Sequence, residues 1–280
     1  MTRVNLVGYI EHPVLGESPY RVSQDGTSYV PVGDGGIVLG LELGDSVFKL
    51  AADHPAPGAC LTHPDAAARH ALTVYACIGN RAVVRTGAAT GAVGTVIGKR
   101  GEEGRVIVAF GPAEELARMR PADEVLVQTA GQGWRPVEFP ADVAVLNLDP
   151  AVLSLLPVRV AGDTSAVNVG VRAVVPGKLA GNGIGRPAVS WDLDLQLTPD
   201  GPGGDALLGD LVAVTDVDAR YNMGYRRGFV TVGVVVHGAS PLPGHGPGLT
   251  PILTGPSAAL QLSQDAAGHA GLTAASLQLQ

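Results

Sequence analysis

Glycine and proline recur along the whole chain and interrupt nearly every apolar run. The 280 residues include 39 glycines and 21 prolines, spread through the sequence rather than collected in one tract. Both residue types are frequent in turns and unfavourable inside helices, so the apolar runs between them are short. The pattern predicts a mainly β fold with a few short helices, in which short strands are joined by turns.

Composition limits the classes of partner. The formal net charge is -7 and the charged residues make up 16% of the chain. Nucleic-acid binding depends on clustered lysine and arginine, so no nucleic-acid partner is expected. The longest apolar run, residues 228–236, is far shorter than the roughly 20 residues of a spanning helix, so no membrane partner is expected either. The chain contains two cysteines, which does not suggest a disulfide framework, and we expect a cytoplasmic protein.

Residues 81–110 give the clearest strand pattern. The stretch 91–99 has the spacing Gly-x-x-Gly-x-Val, a turn follows at 101–104, and the apolar run 105–110 returns. These are the features of a β-hairpin. The hairpin resembles the KOW motif of SH3-like barrels, which contacts RNA in ribosomal proteins. Few residues here are basic, so the sequence favours a barrel hairpin with a structural role.

A short helix is expected over residues 149–156, because Asp149 suits an N-cap and Pro150 suits the first turn. We take it as the boundary between two parts of the chain. Residues 1–148 form a predicted β-barrel-like N-terminal domain, and residues 149–280 form a predicted β-rich C-terminal domain that carries the candidate site.

The candidate site begins with a strictly alternating segment. In a strand over 189–197, Asp192, Asp194 and Gln196 share one face and the apolar side chains share the other. Two carboxylates on one strand face repel each other unless solvent, a cation or arginine lies between them. Asp192 and Asp194 are therefore candidate catalytic residues, with the role of general base.

A second acidic pair follows a buried strand. Asp216 and Asp218 come at the end of the apolar run 211–217, and His237 ends the later run 228–237. Carboxylates and imidazoles are ligands of divalent metals, so these three residues are candidate metal ligands. The alternative is structural, because Arg220 and its neighbours can neutralise the acids.

His245 lies in a glycine-rich loop. It is flanked by Gly244, Gly246 and Gly248, and glycine lets the backbone approach a ligand closely. We therefore treat His245 as a catalytic candidate and the three glycines as ligand-binding candidates. His54 is a weaker candidate because it lies in a proline-rich loop.

Several stretches together resemble a known family. The stretches are 76–80, 131–133, 147–150, 183–185, 191–196, 233–237 and 244–250. Through them the chain resembles the domain-of-unknown-function 4438 family of bacteria and archaea, which has N- and C-terminal parts, over roughly residues 5–255. The resemblance implies a mostly β, two-part fold and supplies no reaction.

A fainter similarity is to acetamidase and formamidase-like proteins. In this chain it rests on Asp192 and Asp194, on the step 207–210 into an apolar strand, and on the acids that end that strand. The Gly-Asp-Gly-Glu run of those proteins is missing, so the resemblance is one of analogy.

Three hypotheses for function remain open. The first is a metal-dependent hydrolase or lyase that uses Zn, Mn or Mg and acts on a small polar molecule, for example at a C–N bond. The second is a metal-free acid/base enzyme, a cyclase or isomerase, with the backbone amides of the loop 244–248 as anion stabilisers. The third is a non-enzymatic ligand-binding or scaffold protein.

The mean hydropathy is +0.23 and only 16% of the residues are charged, which is less charge than a monomer of this size usually needs to cover its surface. Some apolar surface is therefore expected in subunit contacts, and we predict a homo-oligomer. The run 229–236 is apolar on both faces and is expected to be a central strand or an interface strand.

Overall fold

The computed structural model describes residues 3–14, 20–30, 35–101, 104–160, 166–264 and 270–279. The fold is mainly β, as the sequence predicts. Within the described residues, the helices are short. They are α1 (Ala66–Tyr75), α2 (Ala113–Arg118), α3 (Pro150–Leu153) and a single 3-10 turn, Gly177–Leu179.

The helix positions agree with the local capping signals. Before α1, the Asp65 side chain accepts a hydrogen bond from the amide of Ala68 at 2.8 Å. Before α3, the Asp149 side chain accepts from the amide of Ala151 at 3.0 Å, and proline occupies the first turn. Both aspartates satisfy an amide that has no partner within its helix.

The N-terminal strands form a closed barrel. Its six members pair in the order β1, β9, β6, β7, β8, β5, and β5 pairs with β1 to close the circle; β4 adds to the outer side of β5. In chain order the N-terminal strands are β1 (Arg3–Ile10), β2 (Arg21–Val22), β3 (Ser28–Tyr29), β4 (Ile37–Val38), β5 (Gly58–Thr62), β6 (Arg81–Val84), β7 (Val93–Arg100), β8 (Arg105–Phe110) and β9 (Glu124–Ala130). Of these, β2 and β3 pair with each other outside the barrel.

The predicted barrel hairpin is confirmed. Strands β7 and β8 pair antiparallel, and the register shifts between Val96 and Gly98. At Gly98 a β-carbon would overlap the side chain of Val236, so glycine lets the barrel approach the C-terminal half closely. The two central residues of the hairpin turn, 102 and 103, lie outside the described residues.

The C-terminal strands build a second β region. The larger sheet has the order β10, β17, β16, β15, β13, with β14 also paired to β17, and the smaller sheet has the order β11, β12, β18. The strands are β10 (Ala144–Val145), β11 (Val158–Val160), β12 (Val167–Val171), β13 (Ala173–Pro176), β14 (Leu193–Asp194), β15 (Leu211–Asp218), β16 (Gly224–His237), β17 (Gly248–Pro256) and β18 (Leu260–Gln264).

Three local predictions differ from the structure. The expected strand over 189–197 is reduced to β14, because the surrounding chain turns away after two paired residues. The sequence predicts an irregular loop over the proline-rich residues 53–65, but part of that segment is the barrel strand β5. It predicts a weak helix or a loose tail over residues 256–280, but part of that segment is β18. Both strands are fixed by distant partners, β8 for the first and β12 for the second. Pairing with a strand that is distant in the sequence cannot be predicted from local sequence alone.

One hydrophobic core joins the two parts of the chain. It includes Ile97 and Ile107 from the barrel and Val232, Val234 and Ile252 from the larger sheet. Strand β10, which precedes the predicted boundary at residue 148, already belongs to the C-terminal sheet. The division into two domains at that residue stays a prediction.

The apolar run 229–236 lies inside β16, between β15 and β17. Its position in the centre of a sheet accounts for its two apolar faces, so this run no longer indicates an interface. The homo-oligomer itself stays a prediction. Among the described residues, no helix has the length and hydropathy needed to cross a membrane.

Candidate metal centre

Histidine and aspartate side chains from distant parts of the chain meet between the barrel and the larger sheet. Asp192 and Asp194 lie at β14, His237 ends β16, His245 lies in the loop before β17, and His54 lies in the loop before β5. Except for His245, whose side chain is 20% exposed, all are buried. A buried cluster of this composition needs protons or cations to balance it.

The Asp194 carboxylate is at the centre of the cluster. Its Oδ2 lies 2.9 Å from Nδ1 of His245 and 3.5 Å from Nε2 of His54. The two imidazole nitrogens lie 3.0 Å from each other. These three potential ligand atoms, Oδ2 of Asp194, Nδ1 of His245 and Nε2 of His54, therefore form a small triangle.

Asp53 sets the orientation of the His54 ring. Its Oδ1 lies 2.7 Å from Nδ1 of His54, while a guanidinium nitrogen of Arg100 lies 3.1 Å from the same Nδ1. One ring nitrogen cannot donate to the carboxylate and accept from the guanidinium at once. We assign the proton to Nδ1 because the carboxylate contact is the shorter of the two. In the neutral ring, the Nε2 lone pair then faces the triangle.

Asp53 is itself held firmly. The Ser240 hydroxyl donates to its Oδ1 at 2.7 Å, and Arg21 pairs with its other oxygen. Burial opposes ionisation of Asp53, but its bonds to His54 and Ser240 outweigh that effect and hold its pKa well below the ordinary value. A carboxylate that orients a histidine in this way is the usual outer partner of a metal-binding imidazole.

The charges inside the cluster reinforce one another. Burial lowers the pKa of His54, but the nearby carboxylates of Asp194 and Asp53 outweigh this effect and raise the pKa to about 9. Burial likewise opposes ionisation of Asp194, yet the nearby imidazoles of His245 and His54 hold its pKa well below the ordinary value. The cluster therefore holds positive charge at neutral pH, as a proton or as a metal ion.

His54 also has an unusual backbone. Its φ is +51°, in the left-handed region that non-glycine residues rarely adopt. Such strain persists where the surrounding structure imposes it, and it is concentrated at functional sites. Here it accompanies the turn that brings His54 into the cluster.

The atoms of the triangle suit a transition metal. Nitrogen and oxygen ligands about 2.0–2.2 Å from Zn²⁺ lie roughly 3.3 Å apart in a tetrahedral site, close to the three observed separations. Two imidazoles and a carboxylate, with a fourth position left for water, are typical of a catalytic zinc site. The two imidazoles favour Zn²⁺ over Mg²⁺, and the carboxylate also suits Mn²⁺.

The structure brings five residues together, and three of them are the sequence candidates Asp192, Asp194 and His245. The other two are His237, predicted as a ligand with different partners, and His54, a weaker candidate. As expected, Asp192 and Asp194 face the same way, but Gln196 is exposed. Sequence reasoning missed Asp53 and Arg100. The adjacent Asp-His pair at 53–54 is a local signal by which Asp53 could have been found.

The predicted metal set of Asp216, Asp218 and His237 is not assembled. Neither acid belongs to the groups of candidate ligands in the described part of the chain. Asp218 instead pairs with Arg220 at 2.7 Å, and Asp216 accepts a hydrogen bond from the amide of Gly228 at 2.8 Å. The structural alternative therefore accounts for Asp218, which Arg220 neutralises, while Asp216 is exposed to solvent.

The three loop glycines have packing roles. A β-carbon at Gly246 would overlap the carbonyl of Leu195, and one at Gly248 would overlap the His237 ring. Gly244 has a φ of +79°, which suits glycine in a turn. Their contacts shape the loop around His237 and His245. Their predicted direct contact with a ligand stays a prediction.

A cavity of about 550 Å³ lies beside the cluster. Its wall includes Ser240, whose hydroxyl also bonds to Asp53, and Ala52, the residue before Asp53. Other walls are mostly apolar, from Phe48, Leu50 and Leu197, and the turn 23–27 adds polar side chains. A small molecule in this cavity would lie close to the Asp53 side of the cluster.

This protein is a mainly β protein in which a closed antiparallel barrel packs on a second β-sheet. A histidine and aspartate cluster lies where the two meet. The chain belongs to the family described as domain of unknown function (DUF4438): residues 20–154 match its N-terminal part and residues 157–270 its C-terminal part.

The chain is also similar to a solved structure described as the crystal structure of TM1086. The two are 35% identical, the match covers 96% of this chain and 94% of that one, and the TM-score is 0.90. No curated protein matches the chain.

Proposed function

We propose that this protein is a metal-dependent hydrolase or lyase that acts on a small polar molecule, at a C–N bond. The metal is a divalent transition ion, Zn²⁺ or Mn²⁺, held by His54, Asp194 and His245. The observation that carries the proposal is the triangle of Nε2, Oδ2 and Nδ1 atoms, whose sides are 3.0, 2.9 and 3.5 Å.

The tautomer of His54 supports this assignment. Because Nδ1 of His54 donates to Asp53, Nε2 faces the Asp194 carboxylate, and either a proton or a metal ion must lie between these two atoms. The proposal places a metal ion there. A metal bound there lowers the pKa of a coordinated water and polarises a carbonyl oxygen. The His245 side chain is 20% exposed, so the cluster is open to water on that side.

The roles differ from those expected from sequence alone. Asp194 is proposed as a ligand rather than a general base, because both histidines contact the same oxygen of its carboxylate. His245 is likewise proposed as a ligand. Asp192 touches neither of those histidines in the described contacts and pairs with His237 instead.

The cavity beside Asp53 has the size and the lining for a small polar substrate. Its apolar walls suit the carbon skeleton of an amide, and Ser240 and the polar side chains of the turn 23–27, which include the Asp25 carboxylate, offer hydrogen bonds. A bulky change at its exposed rim, Ala51→Trp, should lower kcat/KM without reducing metal content. Ala141→Trp, on an exposed loop elsewhere, is the matched control.

The first experiment combines metal analysis with a substrate panel. Protein prepared without a histidine tag is depleted of metal, reloaded with Zn²⁺ or Mn²⁺, and tested on small amides, ureas and lactams. The proposal predicts metal-dependent release of amine or ammonia, lost in His245→Ala and retained in His70→Ala, a change of an exposed histidine outside the cluster.

Other outcomes point to the other hypotheses. Turnover that survives complete chelation would replace this proposal with a metal-free acid/base enzyme. Absence of both metal binding and turnover would favour a ligand-binding or scaffold protein. We also propose that the protein is cytoplasmic, which the two buried free cysteines support. We further propose that it is a homo-oligomer, which the apolar composition supports. Light scattering coupled to size exclusion measures the oligomeric state.

A further inference from the structure

A second group of candidate ligands lies next to the first. Nε2 of His237 is 2.8 Å from Oδ2 of Asp192 and 3.5 Å from Oδ1 of Asp194. All three residues are buried. The ligand atoms of this group lie within 4.8 Å of one another, and the two groups in the described residues share a single member, Asp194.

The two groups use different oxygens of Asp194. His54 and His245 contact its Oδ2, while His237 contacts its Oδ1. Because each group surrounds one oxygen, the carboxylate lies between them. A carboxylate in this position can bind one ion through each oxygen, and paired ions in metal hydrolases are about 3.5–4 Å apart.

Backbone groups contact the atoms of Asp192 and His237 that point away from the second group. The Gly101 amide donates to Oδ1 of Asp192 at 2.9 Å, so Oδ2 is the oxygen that faces His237. On the far side of the His237 ring, Nδ1 lies 3.0 Å from the carbonyl oxygen of Gly238. A proton on Nδ1 would donate to that carbonyl and direct the Nε2 lone pair at two carboxylate oxygens.

The backbone offers one competing arrangement. The Gly248 amide lies 3.2 Å from the same Nδ1 and can donate to it only if the proton is on Nε2. In that tautomer His237 donates to Asp192 and no ion is needed. The Gly238 contact is the shorter of the two, and the 3.5 Å gap between His237 and Asp194 is wider than a hydrogen bond.

We propose that the site is dinuclear: Asp194 bridges two divalent transition-metal ions, the second of which is held by Asp192 and His237. This inference rests on the proposed function, because it adds an ion to the same centre. Two ions on either side of a carboxylate act as a clamp that stabilises both the attacking and the leaving atoms of a hydrolysis.

The test is a titration of the metal-depleted full chain with Mn²⁺, followed by metal analysis and electron paramagnetic resonance. Wild-type protein should bind two equivalents and give the spectrum of an exchange-coupled pair. His237→Ala and the nearly isosteric Asp192→Asn should each bind one equivalent and give the spectrum of an isolated ion. His70→Ala should behave as wild type. Thermal unfolding checks that each variant is folded.

The outcomes separate this inference from the proposed function. One equivalent in wild-type protein at saturation, lost in His245→Ala, would overturn the dinuclear site and keep the hydrolase. Two equivalents that persist in both His237→Ala and Asp192→Asn would also overturn it, since the second ion would then lie elsewhere. No bound Mn²⁺ and no bound Zn²⁺ would overturn both proposals.

Discussion

Oδ1 of Asp53 lies 2.7 Å from Nδ1 of His54, its neighbour in the chain. Two adjacent side chains reach each other in this way because His54 adopts a left-handed backbone conformation. The contact fixes which nitrogen of His54 faces the cluster. Asp53 is therefore an orienting residue, and its removal should affect the metal before it affects the fold.

The Asp53→Asn variant should bind Zn²⁺ about 10- to 100-fold more weakly than wild type, because the amide no longer enforces the Nδ1 proton on His54. Competition with a chelator of known affinity measures the change. Asp200→Asn, at an exposed position, is the control. An unchanged affinity in Asp53→Asn would show that His54 does not depend on Asp53 for its orientation.

Gly248→Ala should displace the His237 ring, because the added β-carbon would overlap it. Overpacking of this kind costs about 1–3 kcal/mol of unfolding free energy. The variant should also lose the second ion and keep the first. Chemical denaturation and metal analysis measure the two effects.

Gly224→Ala is the matched control for that change. Its β-carbon would meet a single backbone oxygen, that of Asn222, at 3.9 Å. It should leave metal content unchanged. Equal metal content in both alanine variants would mean that the His237 ring tolerates the displacement.

Asp218 gives a pH-dependent test of its structural role. Partial burial opposes its ionisation, but hydrogen bonds from Arg220 outweigh it, so the pKa of Asp218 lies below its ordinary value. The stabilisation is complete above the unfolded-state pKa of about 3.9 and disappears as the pH falls through the lower folded-state pKa. A partly exposed ion pair contributes about 0.5–1 kcal/mol.

Asp218→Asn should therefore unfold more easily than wild type near pH 7, and the difference should vanish at strongly acidic pH. Denaturant unfolding at several pH values measures this. Metal content should not change, because Asp218 is outside both ligand groups. Loss of metal in this variant would restore Asp218 as a ligand.

Lys99 joins three segments of the chain through buried hydrogen bonds. Its Nζ donates to the Asn147 side chain at 2.7 Å, to the Val189 carbonyl at 2.6 Å and to the Val74 carbonyl at 3.2 Å. Burial lowers its pKa to about 8. All three acceptors are uncharged, so Lys99 serves the packing of the two halves.

Lys99→Met should lower the free energy of unfolding by about 2–3 kcal/mol. The buried Asn147 side chain and the partly buried Val189 carbonyl lose their donor, while the Val74 carbonyl keeps the donor Gln132. Lys49→Met should cost less than about 1 kcal/mol, since the Lys49 side chain is 44% exposed and its ion pair is screened by solvent. Similar losses in the two variants, measured by denaturant unfolding, would contradict the proposed role of Lys99.

The sequence by itself determined the β class, the barrel hairpin and the cap of α3. Each of these depends on residues close together in the chain: glycine spacing and alternation for the hairpin, and a capping aspartate for the helix. The shared direction of Asp192 and Asp194 has the same origin, because side chains alternate along an extended backbone.

Tertiary structure alone decided the composition of the site. His54 and His245 are 191 residues apart, yet their nitrogens lie 3.0 Å from each other. Their meeting requires the barrel to close and then to pack on the larger sheet through a shared core. Contacts of this kind depend on which surfaces fit together, a property of the whole fold that no local pattern contains.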